Sequence, residues 1–235
     1  ENLPETLRVL EMAVNALSGT VSFKSLPQGL ELFYIFHNTF TGDIDFATLP
    51  EGMLTLPIHS NTFCGSMDLA HLPEVMEDFQ FGSNLFTGSI DLTHLPQHLR
   101  MLSGGSNSLS GTLNLTQLPG SLEELRFRKN AFSGSIDLTM LPPSLEQLDL
   151  SENNFSGNIS LKSLPEALIE MHLQKNALCG DLALTNIPEH TVICVHNNAF
   201  DGTLTIGKLP PSETLSLNVR EGNKWKAIQL TPEAF

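Results

Sequence analysis

Cysteine, positive charge and long apolar runs are all scarce in this sequence, and each scarcity excludes something. There are 3 cysteines in 235 residues. Cys64, Cys179 and Cys194 are odd in number and none stands in a CxxC or finger spacing, so neither a disulfide framework nor a zinc finger is expected. Only 12 basic side chains face 26 acidic ones, a formal charge of -14. Such a field repels nucleic acid and anionic membranes and favours a basic partner. No run of about 18 uncharged apolar residues occurs, so no membrane insertion is expected. The opening Glu1-Asn2-Leu3-Pro4 has neither an initiator Met nor a basic-then-apolar signal, which suggests a mature product or an excised fragment. GxSxG, Walker A and GxGxxG motifs are missing too. The expectation is therefore a chain that is not an enzyme and needs no cofactor.

A repeat is what the sequence does have. Asn15, Asn38, Asn61, Asn84, Asn107, Asn130, Asn153 and Asn176 recur every 23 residues, and Asn198 follows after 22. Pro4 to Pro188 keeps the 23-residue period throughout, and Gly19 to Gly180 keeps it before Gly202 follows the short repeat. One unit, 142–164, reads LxxLxLxxN followed by xFSGxIxLxxLP. A fixed period of this length denotes a solenoid, each unit burying its apolar face against its neighbours.

In these motifs the chain resembles the leucine-rich repeat family from residue 3 to about 210. The FSGxI half is similar to the plant-type repeat class and the Leu-Pro-x-x-Leu opening to bacterial and protist repeats, kinetoplastid proteins combining both. The resemblance implies a leucine-rich repeat solenoid, formally in the α/β horseshoe class but mostly β. A curved parallel sheet, short extended or 3₁₀ return segments and little α-helix are expected. In the strand, Leu148 and Leu150 point inward while Asp149 and Ser151 face out. The recurring Asn is expected to bond backbone groups of the neighbouring turn. The aromatic or Leu two residues later should stack as a spine, and the Gly beyond it suits a positive φ or a close coil-to-coil approach. About nine repeats fill 1–213. From 214 to 235 the pattern dissolves, with no ladder Asn at its place, and a C-terminal capping segment is expected. No N-terminal cap is visible.

In this architecture recognition falls to the outward column of the concave sheet. Three features there are candidates for partner binding. Tyr34 and Phe36 place two aromatics outward, beside His37 and His59, where interface anchors or a packed patch would sit. Arg126, Arg128 and Lys129 form the densest positive cluster. They are read either as a salt-bridge network with Glu123, Glu124, Asp149 and Glu152 or as a clamp for a partner's carboxylate or phosphate. Between the two lies a floor of small residues, Gly82, Ser83, Ser103, Gly104, Gly105 and Ser106, which would let a partner's backbone approach. Gly104 replaces a core Leu, expected to weaken its strand, and Pro57 is expected to interrupt the sheet. His172 completes the candidate set.

Other chemistry reads as structural. His71 and His94 share one repeat position, but two ligands do not make a metal site. Asp45, Asp68, Asp91 and Asp137 form a solvated column, interrupted by Asn114. Cys64 and Cys179 are read as buried thiols, five repeats or about 25 Å apart and beyond bridging. Sequons at Asn114, Asn154 and Asn158 are incidental to a repeat rich in Asn, Ser and Thr. Free cysteines lean toward the cytosol. The reading is a non-catalytic module that recognises a protein or peptide on its concave face. The alternatives are a self-associating structural protein and the targeting arm of a larger enzyme or receptor.

Overall fold

The computed structural model describes residues 3–210 and 215–231. The coils from Pro4 to Pro165 open at Pro-x-x-Leu or its Pro-x-x-Met variant, where the N–H of the fourth residue donates to the Pro carbonyl, as in Met53 to Pro50 at 3.0 Å and Leu145 to Pro142 at 3.1 Å. This β-turn, with Pro fixing φ at its first corner, aims the next three residues into a strand. At Pro188 the fourth residue is Thr191, whose hydroxyl donates to the Pro188 carbonyl at 2.9 Å.

One strand per coil builds a ten-stranded parallel sheet. In order it comprises Val9–Glu11, Leu32–Tyr34, Thr55–Pro57, Asp78–Gln80, Met101–Ser103, Glu124–Arg126, Gln147–Asp149, Glu170–His172, Val192–Cys194 and Ser216–Asn218. Register is in step: Leu102, Leu125, Leu148, Met171 and Ile193 align and are buried. A second parallel sheet of eight strands runs from Ser18–Thr20 to Ala177–Leu178 on the next side of the coil. A third, of Leu182–Leu184, Thr203–Ile206 and Ala227–Leu230, follows it. The return side holds 3₁₀ turns at Phe23–Ser25, Phe46–Thr48 and Leu69–His71, and no α-helix occurs among the described residues. The fold is a leucine-rich repeat solenoid.

The ladder asparagines hold the coils in stack. Asn61 Nδ2 donates to the carbonyls of Ile35 and Ile58, and its Oδ1 accepts from Phe40 N–H at 3.0 Å. Asn153 repeats this with Phe127, Leu150 and Phe132. The residue before each Asn lies in the left-handed region, from Val14 and His37 through Ser83, Ser106 and Lys129 to Asn197, with φ between 51° and 58°. A non-glycine residue there costs about 1–2 kcal/mol, and the turn it makes is what points the Asn amide inward. Eight of the repeated glycines also have positive φ, from 80° at Gly180 to 100° at Gly42; Gly202 is not among them. The spine stacks as expected, Phe40 on Phe63 at 6.3 Å and Phe132 on Phe155 at 6.2 Å.

Three expectations are corrected. Gly104 leaves no hole: a Cβ there would lie 2.2 Å from Phe81 and 2.9 Å from Phe127, whose rings reach in from both neighbouring strands to 6.2 Å of one another. Pro57 shortens a ladder without breaking the sheet. Thr55–Pro57 keeps one register pair with Leu32–Tyr34 and three with Asp78–Gln80. A ladder Asn does exist beyond residue 214. Asn223 Oδ1 accepts from Asn198 N–H at 3.1 Å, its Nδ2 donates to Val195 and Val219, and Trp225 stacks on Phe200 at 5.1 Å in the spine position. The rest of the expected capping segment, residues 214 and 232–235, lies outside the described residues.

Candidate functional site

The strand register sets the outward side chains of the ten-stranded sheet in rows. Pro57, Gln80, Ser103, Arg126, Asp149, His172 and Cys194 align in one. Two residues further along lies a second, in which successive coils are tied by Ser60 N–H to Gly82, Ser83 N–H to Gly105 and Ser106 N–H to Arg128.

Where these rows cross the glycine floor there is a hollow of about 340 Å³. It is lined by His59, Gln80, Gly82, Ser83, Ser103, Gly105, Ser106, Arg126, Arg128 and Asp149. His59, Gly82, Ser103, Gly105, Arg126 and Arg128 of the expected set are thus brought together. The glycines also serve the stack. A Cβ at Gly82 would meet Gly105 O at 3.0 Å and one at Gly105 would meet Arg128 O at 3.0 Å, so bulk here would press on the next strand's carbonyl.

Phe36 joins this hollow through His59, the two rings stacked at 4.7 Å, with His37 edge-on to His59 at 5.3 Å. Burial, then the nearby His37, holds the His59 imidazole below its usual pKa, which favours its neutral form. Tyr34 is half-buried one strand beyond the hollow. Lys129 lies exposed on the left-handed turn after Arg128, and His172 stands beside Asp149 with Nε2 at 3.4 Å from Glu170.

Both arginines are paired within the chain. Arg126 lies 2.8 Å from Glu124 and donates to Gln147 Oε1. Arg128 donates to Glu152 at 2.7 Å, and Lys175 approaches the same oxygen at 3.3 Å. The Arg128 bond holds the Glu152 carboxyl below the usual range. The Arg128–Glu152 pair is part-exposed, worth at most about 1 kcal/mol, and a partner's anion can displace it.

A neighbouring hollow of about 260 Å³, lined by Thr55, Glu77, Asp78, Arg100, Met101, Glu123 and Glu124, was not singled out in the sequence. Its signal was available in the residue two places before Gln80, Ser103 and Arg126. Burial, opposed by the Gln80 bond and aided by Glu124, raises the Asp78 pKa.

The remaining candidates resolve into local structure. His71 and His94 each turn onto their own Asp, Asp68 at 2.7 Å and Asp91 at 3.0 Å. Among the described residues no group of three or more His, Cys, Asp or Glu is placed to hold a metal ion. The Asp column does more than face solvent: Asp45 makes no side-chain cap bond, but Asp68 accepts from Ala70 N–H and the later members cap their turns in the same way. Asp91 and Asp137 accept from Thr93 and Thr139, and Asn114 accepts from Thr116. The two bonds from Thr93 lead in holding the Asp91 pKa down to about 2. Cys64 and Cys179 are part-exposed, not buried as expected, because their row lies on the outer face of the eight-stranded sheet. No described helix is long and apolar enough to cross a membrane.

No family model matches the chain, and no curated protein does. Solved structures do match. The leucine-rich repeat ectodomain of the Arabidopsis thaliana membrane receptor kinase GASSHO1/SCHENGEN3, in complex with Casparian strip integrity factor 2, aligns with a TM-score of 0.72 at 20% identity, over 97% of this chain and 33% of that one. The Arabidopsis receptor kinase HAESA ectodomain, in complex with an extended IDA peptide hormone ligand, aligns with 0.58 at 18% identity, over 94% and 50%. A plant ice-binding protein aligns with 0.67 at 17% identity, over 97% and 77%. The chain therefore spans about a third to a half of the two receptor ectodomains, and the likeness is one of fold.

Proposed function

We propose that this chain is a non-catalytic protein-binding module that recognises a protein or peptide partner on the concave, ten-stranded face. The partner's apolar part sits on Tyr34 and Phe36 and its acidic part on Arg126 and Arg128. His37, His59, Lys129 and His172 flank it, and Gly82, Ser103 and Gly105 form the floor. The observation that carries this reading is the hollow itself, where a floor of glycine and serine is walled by an aromatic stack at one end and two arginines at the other. An open sheet excludes water poorly, which suits binding better than catalysis. The fold's occurrence in an ectodomain solved with a peptide hormone ligand is consistent with it. Residues 1–213 serve as the recognition array and 214–235 as its closing segment.

The test is capture from native lysate by the parent chain beside a folded variant carrying Tyr34→Ala, Phe36→Ala, Arg126→Glu and Arg128→Glu. A protein recovered by the parent and lost by the variant supports the reading. Recovery of the same proteins by both contradicts it. Recovery of the chain alone shifts the conclusion to self-association.

A further inference from the structure

Two hollows of opposite charge lie side by side on the same three strands. Asp78–Gln80, Met101–Ser103 and Glu124–Arg126 each give their first residue to the acidic hollow and their last to the basic one. In the acidic hollow Arg100 is engaged in two bonds with Glu123, at 3.0 and 2.9 Å, so Asp78 and Glu124 keep their negative charge uncompensated by it. Burial is the main cause of the raised Asp78 pKa, the Gln80 bond opposes it, and Glu124 adds a smaller upward push.

The hollows meet at the Glu124–Arg126 pair. Its 2.8 Å approach is not aligned as a hydrogen bond, and Glu124 Oε2, closed off from solvent, has no hydrogen-bond partner. An anion that draws Arg126 toward the basic hollow therefore strips Glu124 of its counter-charge. Leaving a desolvated carboxylate unpaired offsets much of what the new contact gains. A lone cation in the acidic hollow has the mirror-image problem with Arg126. A ligand bearing both signs replaces one internal pair with two intermolecular ones and leaves neither charge stranded.

We propose that the partner's bound segment is zwitterionic. It is an extended stretch presenting a Lys or Arg to Asp78 and Glu124, and an Asp or Glu to Arg126 and Arg128, on one face of the segment. This rests on the concave-face reading above and adds the cation to it. Asp78 and Gln80, one in each hollow, are two residues apart on their strand, roughly 7 Å at the rise of an extended chain, so the matching charges belong at even spacings, about two or four residues apart. Odd spacings put them on opposite faces.

The experiment is a cellulose-bound array of decapeptides in a Thr/Val/Ser background, with one Lys and one Glu at every mutual spacing, plus Lys-only and Glu-only controls, probed with the full chain. Spacings of two and four should exceed odd spacings and single-charge peptides by at least about tenfold. Asp78→Asn with Glu124→Gln should abolish the Lys preference, and Arg126→Gln with Arg128→Gln the Glu preference, with the parent's circular dichroism and cooperative melting retained at a shifted midpoint. Glu-only peptides that bind as well as Lys–Glu peptides, still through the two arginines, overturn the zwitterionic ligand and leave the concave-face reading standing. Binding that ignores both pairs of substitutions overturns both. An array silent throughout overturns the zwitterionic ligand, while lysate capture still decides the broader reading.

Discussion

The two long sheets share one backbone plan and differ completely in what they show to solvent. Strands of the eight-stranded sheet read SGT, TFTG, TFCGS, LFTG, SLSG, AFSG, NFSG and AL, with no charged residue anywhere. Its outward side chains are mostly hydroxyls and methyls repeated from coil to coil. The ten-stranded sheet turns out Glu11, Tyr34, Asp78, Gln80, Glu124, Arg126, Asp149, Glu170 and His172 over an equally regular core. A face that repeats does the same job in every coil, whereas a face that changes from coil to coil can specify something outside the molecule. The inward side of both is alike, since coil stacking makes the same demand everywhere.

The largest effect belongs to the frame beneath both faces. Asn153→Ala takes the Asn153 acceptor from the buried Phe132 N–H, at about 1–3 kcal/mol, and removes one of the two amide donors to the Phe127 and Leu150 carbonyls, which keep Asn130 and Asn176. A loss of about 2–3 kcal/mol is expected in urea unfolding. Its exposed neighbour Asn154→Ala, on the uniform face, should stay within about 0.5 kcal/mol. An equal cost at both positions would break the distinction between frame and face.

Next is Gly104→Leu, which restores the repeat's own residue. Because Phe81 and Phe127 already fill the space, it should destabilise by about 1–3 kcal/mol through overpacking, and adding Phe81→Leu should recover part of that loss. A stabilised single variant would show the glycine to be a true cavity.

Charges test the two faces directly. Thr41→Lys with Ser156→Lys, on the eight-stranded sheet, should leave stability within about 0.5 kcal/mol per site and partner capture unchanged. Arg128→Glu, facing Glu152 across the neighbouring strand, should weaken capture and cost about 1 kcal/mol in the same unfolding assay.

The smallest effects are in acid. The depressed Asp91 pKa, about 2 against an ordinary 3.8, means stability present above the ordinary value and lost as pH falls toward 2. Asp78 has the opposite sign: its pKa is raised by burial, so its charge is unwelcome once folded, and stability falls as pH rises through its folded value. Asp91→Asn should therefore destabilise at neutral pH and Asp78→Asn stabilise, both effects vanishing in strong acid. Melting across pH, with NMR titration of both carboxyls, checks the signs.

The repeat made most of the fold legible, because one buried job per coil leaves one residue type at one spacing. What it hid was non-local or backbone-borne. Val14, His37, Ser83 and Lys129 share a left-handed conformation no common side chain announces. Gly104 looked like a defect because its compensation comes from rings 23 residues away on either side. Asn223 was overlooked because it follows Asn198 by 25 residues, outside the period. In the candidate site the sequence indicated which residues face out. The acidic hollow went unseen because Glu77, Asp78, Glu123 and Glu124 come from alternate coils and converge only in register.

The central claim is that recognition belongs to the ten-stranded face, and hydroxyl-radical footprinting of the chain, free and with its captured partner, tests it most directly. Tyr34, Phe36 and Met101 on that face should become protected. Leu85 on the eight-stranded sheet and Met140 on the return side, both largely exposed, should oxidise as before. Protection of Leu85 or Met140 with Tyr34, Phe36 and Met101 unchanged would contradict the account and move the partner to the other side of the solenoid.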